Sequence, residues 1–146
     1  MEEKHLVLES FLPYRLTRLA ETISRDYARI YKERFGITRP EWRLLATLGE
    51  LGTMTATAIG VHTNMHKTKV SRAVAALEAR RWLARRSDGR DRRVEHLTLT
   101  KPGMAAYREL APLARAFETR LMASLSTGDR KAAEAGLNAL EKLLPR

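Results

Sequence analysis

One change of rhythm constrains this chain more than any other feature. Along most of its 146 residues apolar side chains recur every three or four positions, but over residues 83–99 the spacing falls to two. Steps of three and four build one face of an α-helix, whereas steps of two mark a half-buried β-strand. Leu12, Leu16, Leu19, Ile23, Tyr27 and Ile30 predict a first long helix over residues 10–34. Ser10 is read as its cap, Pro13 falls in the first turn, and Gly36 can close the helix with a positive φ. Thr38, Pro40 and Glu41 carry a capping-box signature for a second helix, with Leu44, Leu45 and Leu48 facing inward and Gly52 at its end.

Two shorter helices are predicted next, over residues 55–63 and 66–81, separated by the turn Thr63, Asn64 and Met65. Gly60 is about 1 kcal/mol worse than Ala in a helix, so its presence implies a crossing helix that leaves no room for a side chain. Asn64, four residues on, tolerates the left-handed conformation. That pair fits a helix-turn-helix, against the alternative of a flexible helix end. Val70, Val74 and Leu77 face inward on the longer helix. Strands over residues 83–87 and 94–99 then flank the charged tip Asp88, Gly89, Arg90, Asp91, Arg92 and Arg93, with Leu97 and Leu99 inward. Thr100, Lys101, Pro102 and Gly103 cap a fifth helix with a stripe of Leu110, Leu113, Phe117, Leu121 and Leu125. Ser126 and Asp129 cap a last helix bearing Leu137, Leu140 and Leu144. The expected fold is mainly α with a small β-hairpin, the outline of a winged helix-turn-helix.

The 44% hydrophobic composition suffices for a core, and 27 Lys and Arg against 17 Asp and Glu leave a net charge of +10. Residues 66–101 hold eleven of those cations and four of those acids, hence +7. Such a balance favours a polyanion: DNA, RNA or an anionic membrane surface. The cysteine count is 0, which excludes disulfides and thiolate metal sites. The opening Met1, Glu2, Glu3, Lys4 and His5 does not resemble a secretory signal, and no apolar run is long enough to span a bilayer. A soluble, cytoplasmic protein is expected. No Gly-rich phosphate loop, Gly-x-Ser-x-Gly elbow or His-Glu-x-x-His pair is present, so neither an enzyme nor a cofactor is expected. His62 and His66 lie four apart, but the turn between them breaks any shared helical face, so no metal site is assigned.

The helix over residues 66–81 carries Lys67, Thr68, Lys69, Ser71 and Arg72 at outward positions, with no acid before Glu78. Lysines and hydroxyls hold phosphates, and arginine bridges the two acceptors of guanine. Thr55, Thr57 and His66, at the starts of the two short helices, are read as DNA contacts with them. Arg90, Arg92 and Arg93 sit on a tip short enough to enter a minor groove, where narrowness concentrates negative potential. Asp88 and Asp91 are expected to brace neighbouring arginines. The bland alternatives are a solvated helix face and an ordinary soluble hairpin. RNA is disfavoured, because a helix does not enter the deep A-form major groove.

At this point the chain resembles the MarR family of bacterial regulators. The resemblance rests on residues 38–48 (Thr-Arg-Pro-Glu-Trp-Arg-Leu-Leu-Ala-Thr-Leu) and residues 67–78 (Lys-Thr-Lys-Val-Ser-Arg-Ala-Val-Ala-Ala-Leu-Glu). Its most specific part is Asp91-Arg92-Arg93 followed by Leu97-Thr98-Leu99-Thr100. It implies one compact unit: an N-terminal dimerisation helix (1–36), a winged DNA-binding module (37–101) and C-terminal dimerisation helices (102–146). It further implies a homodimeric transcriptional regulator on a palindromic operator, with residues 66–81 as recognition helix, Arg72 on DNA and Arg93 in the minor groove. Repression relieved by a small aromatic or phenolic ligand, or its CoA thioester, is the family's habit. Arg18, Arg25, Tyr27 and Trp42 are candidate ligand contacts, against the favoured alternatives of solvent or DNA-proximal charge for the two arginines and core packing for Tyr27 and Trp42. The chain departs from the family at Asn64 and Arg81, where Gly is common, and at Gly60, where Ala is usual. A dimer also follows from the Leu stripes of the terminal helices, against an intramolecular three-helix bundle. Alternative functions are a sequence-indifferent architectural DNA-binding protein and a metal-responsive regulator.

Overall fold

Helix ends set the boundaries of this fold. The computed structural model describes residues 4–145. After a 3₁₀ turn at Leu8–Ser10 come α1 (Leu12–Phe35), α2 (Arg39–Leu51), β1 (Met54–Thr55), α3 (Ala56–Thr63), α4 (Lys67–Ala79), β2 (Leu83–Ser87), β3 (Glu95–Leu99), α5 (Lys101–Ala123) and α6 (Thr127–Glu141). Gly36 ends α1 at φ 67°, and Thr38 with Glu41 forms the expected capping box on α2. Asn64 takes the left-handed conformation at φ 55° and turns the chain from α3 into α4. Ser126 accepts the Asp129 amide at 3.1 Å to start α6.

Ser10 is not the cap of α1. It lies in the 3₁₀ turn, whose Leu8 carbonyl takes the Phe11 amide at 2.9 Å, so α1 opens at Leu12 with no side-chain cap. The sheet has three strands, in the order β1-β3-β2, all antiparallel. β1 is two residues long, too short to show a period. It exists because Met54 pairs with Leu97 and Thr55 with His96. β2 pairs with β3 from Leu83↔Leu99 to Ser87↔Glu95.

The described residues divide into two units, one reaching Ala111 and one starting at Pro112. The core of the first is made by Tyr31, Ile37, Leu44, Leu45, Leu48, Ile59, Leu77, Leu97 and Leu110, all fully buried. The second holds the rest of α5 and α6. Leu137 on α6 is 55% exposed there.

Arg81 resolves how α4 stops. It adopts φ 64°, its amide bonds to the Glu78 carbonyl at 2.9 Å, and the Trp82 amide bonds to the Leu77 carbonyl at 3.0 Å. This is the Schellman pattern, which normally favours glycine because a Cβ is strained at positive φ. The expectation for Gly60 is corrected. A Cβ there would lie 3.4 Å from the Met65 carbonyl oxygen and 3.8 Å from a Val70 methyl, so a methyl group fits. Close approaches occur instead at Gly49, where a Cβ would overlap the Tyr107 ring, and at Gly103, where it would overlap the Trp82 carbonyl group, a backbone atom set that cannot swing aside.

Two glycine substitutions therefore have opposite expected signs. Gly103→Ala should lower stability by about 1–3 kcal/mol, the range for overpacking a filled site. Gly60→Ala should raise it by roughly 0.5–1 kcal/mol through helix propensity. Urea unfolding followed by circular dichroism checks both; a stable Gly103→Ala protein would refute the packing at Trp82.

Candidate nucleic-acid interface

α3 and α4 are positioned by their first residues. The Thr55 hydroxyl accepts the Ala58 amide at 3.1 Å, capping α3, and His66 Nδ1 accepts the Thr68 amide at 3.2 Å, capping α4. Both side chains are thus engaged in holding helix ends, while Thr57 is exposed. Along α4 the chain sorts cleanly. Val70, Ala73, Val74 and Leu77 are buried, and Lys67, Thr68, Lys69, Ser71 and Arg72 are exposed. α4 has no acid in its first turn, so its positive dipole end and its lysines add rather than cancel.

The wing tip is held by its aspartates. The Asp88 amide donates to the Val94 carbonyl at 2.9 Å and closes the loop. Asp91 accepts the Arg93 amide at 3.0 Å and its Nε at 3.3 Å, bracing this arginine as read from the sequence. The Arg93 side chain nevertheless remains 92% exposed. Asp88 does not hold a guanidinium, contrary to expectation. It accepts the Arg90 backbone amide at 2.8 Å and pairs with His96 Nε2 at 3.2 Å. These bonds, the Arg90 amide foremost, hold the Asp88 carboxyl below the usual aspartate range.

Three residues passed over in the sequence form an ion cluster at the wing base. Arg85 on β2 donates through Nε to Glu78 of α4 at 2.8 Å and through Nη1 to Glu95 of β3 at 3.2 Å. The only sequence signal was that Arg85 and Glu95 share the strand face of the inward Leu97.

The four candidate ligand contacts do not form one site. Tyr27 and Trp42 belong to a ring cluster with Tyr31: Tyr27 meets Tyr31 and Trp42 edge-on at 5.2 Å, and Tyr31 stacks on Trp42 at 5.9 Å. Burial pushes the Tyr27 phenol well above its ordinary range, so it stays neutral. Arg18 lies over the Tyr14 ring at 5.8 Å, in a shallow cleft along α1 lined by none of Arg25, Tyr27 and Trp42. A second cleft, of about 510 Å³, was not anticipated. Arg39 and Arg43 from α2 line it with His66 and Lys69, and among the described residues Glu21 of α1 is its one acid. Arg39 donates to Glu21 at 2.9 Å and lowers its carboxyl pKa. Among the described residues, no group of three His, Asp or Glu could hold a metal ion, and no helix is long and apolar enough to cross a membrane.

Residues 35–94, which span α2 to the wing tip, match the family model described as "MarR family". The chain is 32% identical over 100 residues to an uncharacterised HTH-type transcriptional regulator, YwoH of Bacillus subtilis, covering 68% of this chain and 72% of that one. Among solved structures, the MarR family transcriptional regulator SPO1453 of Silicibacter pomeroyi superposes with a TM-score of 0.83 at 28% identity, over 97% of this chain and 100% of that one. BpsR of Bordetella bronchiseptica, whose DNA binding is regulated by 6-hydroxynicotinic acid, superposes with a TM-score of 0.73 at 22% identity, over 87% of this chain and 98% of its own. The order of helices, the three-stranded wing and the matched segment agree: this chain is a transcriptional regulator of the MarR family, with that family's winged helix-turn-helix fold.

Proposed function

We propose that two copies of this chain form a homodimer that binds a palindromic DNA operator and represses transcription until a small aromatic or phenolic ligand, or its CoA thioester, releases it. One observation carries the DNA reading. Among the described residues, Lys67, Lys69, Arg72, Arg90 and Arg92 make no ion pair, although the acids of residues 66–101 are all engaged. Cations left unneutralised in this way release counterions when they meet phosphates. In this reading Thr57, Lys67, Thr68, Lys69 and Ser71 hold the backbone and Arg72 reads base edges. Arg90, Arg92 and Arg93 enter the minor groove, while Thr55 and His66 fix the helix ends that aim them.

The dimer reading rests on surface that one copy leaves uncovered. Leu12, Leu16, Leu19 and Ile23 on α1 are exposed, Leu19 at 58%. Apolar stripes of this length mark interaction sites. Two-fold symmetry then sets two recognition helices about 34 Å apart, one turn of DNA. For the effector, the cleft of Arg39, Arg43 and Lys69 offers counter-charges to a carboxylate or phosphate. Lys69 belongs to this cleft and to the outward face of α4. A ligand there favours dimers with misplaced recognition helices, and weakens DNA binding by its differential affinity.

Light scattering at micromolar concentration should give twice the chain mass; a stable monomer would sink the dimer. Selection from random duplexes should yield a palindrome preferred over bulk DNA by roughly a thousandfold or more, whereas an architectural protein would bind all duplexes alike. Arg93→Ala should weaken that operator by about 1–3 kcal/mol. Lys69→Ala should weaken all duplexes similarly and flatten the salt slope by roughly one unit. The Asp88 carboxyl has a folded pKa below its unfolded one, so its contribution to tip order is present above the unfolded value and lost as pH falls through the lower, folded value. The Arg90 amide resonance should therefore hold steady down to the ordinary aspartate range and shift only below it; a shift near neutrality would contradict the Asp88–Arg90 bond.

A further inference from the structure

Between α3, α4 and the inward face of the sheet runs a groove of about 450 Å³, with Gly60, Val61, Val74 and Leu97 among its lining. Close packing fixes the distance between two elements only where their side chains interdigitate. At the feet of the wing they do, with Leu83 and Leu97 buried, but farther out the groove is lined by the charged Arg85 and Glu95, so apolar contact does not by itself set the direction of the wing beyond its feet. Arg85 and Glu95 line this groove, and the Arg85 fork ties β2 to Glu78 of α4 at 2.8 Å and to Glu95 of β3 at 3.2 Å.

The charges of this cluster argue against a simple role in DNA attraction. Two carboxylates on one guanidinium leave a local charge of −1, within a segment that otherwise carries a large positive excess. Facing a polyanion, that local excess of acid opposes binding. Asp88 and Asp91 have partners at the tip, so Glu78 and Glu95 are the acids that bear on the wing base. Leverage makes a small tilt there matter. From Arg85 the wing runs past the end of β2 at Ser87 to its tip, roughly 10 Å at about 3.3 Å per strand residue, so a tilt of about 10° moves the tip by roughly 2 Å. A hydrogen bond to a base edge does not survive such a displacement.

We infer that the Glu78–Arg85–Glu95 fork is a positioning device: it sets the angle between wing and recognition helix, and thereby sequence discrimination rather than affinity. This rests on the DNA reading proposed above. Arg85 is the residue suited to the task, because a planar guanidinium can bond two carboxylates in fixed directions and a lysine ammonium cannot.

The test exploits a difference in sign. Affinities are measured for the duplex that the wild-type protein selects from a random pool, and for a scrambled duplex, at one salt concentration. In the variant Glu78→Gln with Glu95→Gln, loss of two negative charges should tighten the scrambled duplex severalfold. The selected duplex should not gain, so the specificity ratio should fall by the same severalfold factor, within the scale of one lost base contact. Arg85→Lys keeps the charge and should lower the same ratio with little change on the scrambled duplex. Thermal unfolding confirms that each variant is folded, and if the double variant is not, Arg85→Lys alone decides. Equal tightening on both duplexes, or an Arg85→Lys ratio within twofold of wild type, overturns the positioning role and leaves the DNA reading intact. Failure of the wild-type protein to prefer any duplex overturns the DNA reading itself, and the positioning role with it.

Discussion

The fold turns on the backbone of Trp82. Its amide ends α4 by bonding to the Leu77 carbonyl, and its carbonyl accepts the Thr100 amide at 2.9 Å, pinning the two feet of the hairpin together. The Thr100 hydroxyl donates to the Arg81 carbonyl at 2.6 Å and accepts the Gly103 amide at 3.2 Å, starting α5. The Trp82 ring meets Phe35 of α1 edge-on at 5.1 Å, with the Arg80 guanidinium 5.0 Å from its centroid. Recognition helix, wing and α5 thus depart from one hydrogen-bonded knot. Most partners in the knot are backbone groups, whose bond geometry tolerates little displacement.

Around that knot the charges divide by task. Acids are spent on internal order: Asp88 and Asp91 shape the tip, Glu78 and Glu95 hold Arg85, and Glu109 holds Arg34 between α5 and α1 at 2.7 Å. Among the described residues, Lys67, Lys69 and Arg72 on the outward side of α4 and Arg90 and Arg92 at the tip make no ion pair, while Arg93 is held by Asp91. Exposed ion pairs add little stability, with a median near 0–1 kcal/mol, so these acids matter more for direction than for strength. Charge in this module is organised for aiming side chains, with hydrophobic burial around Leu44, Leu77 and Leu97 supplying cohesion.

Much of this was legible in residue order because local chemistry acts over a few residues. The capping box at Thr38 and Glu41, the left-handed Asn64 and the bounds of β2 all follow from neighbours within four positions. The start of α1 misled because Ser10 is a good cap by type, yet the chain enters through a 3₁₀ turn that places Phe11 at that position. Gly60 misled because a glycine in a helix signals close approach only when something actually approaches. β1 carried no signal, since two residues cannot display alternation.

What residue order determined by itself is the alphabet of elements and the sorting of charge along them. Periodicity and capping are short-range, and the cationic outward positions of α4 are spaced by helical geometry alone. Tertiary structure decided which polar groups are spoken for. It drew Tyr27 and Trp42 into a ring cluster with Tyr31, gathered Arg39, Arg43 and Lys69 around one cleft, and joined Glu78, Arg85 and Glu95 across three elements. Such partnerships depend on distances between segments far apart in the chain, and those distances are set by packing rather than by any local preference.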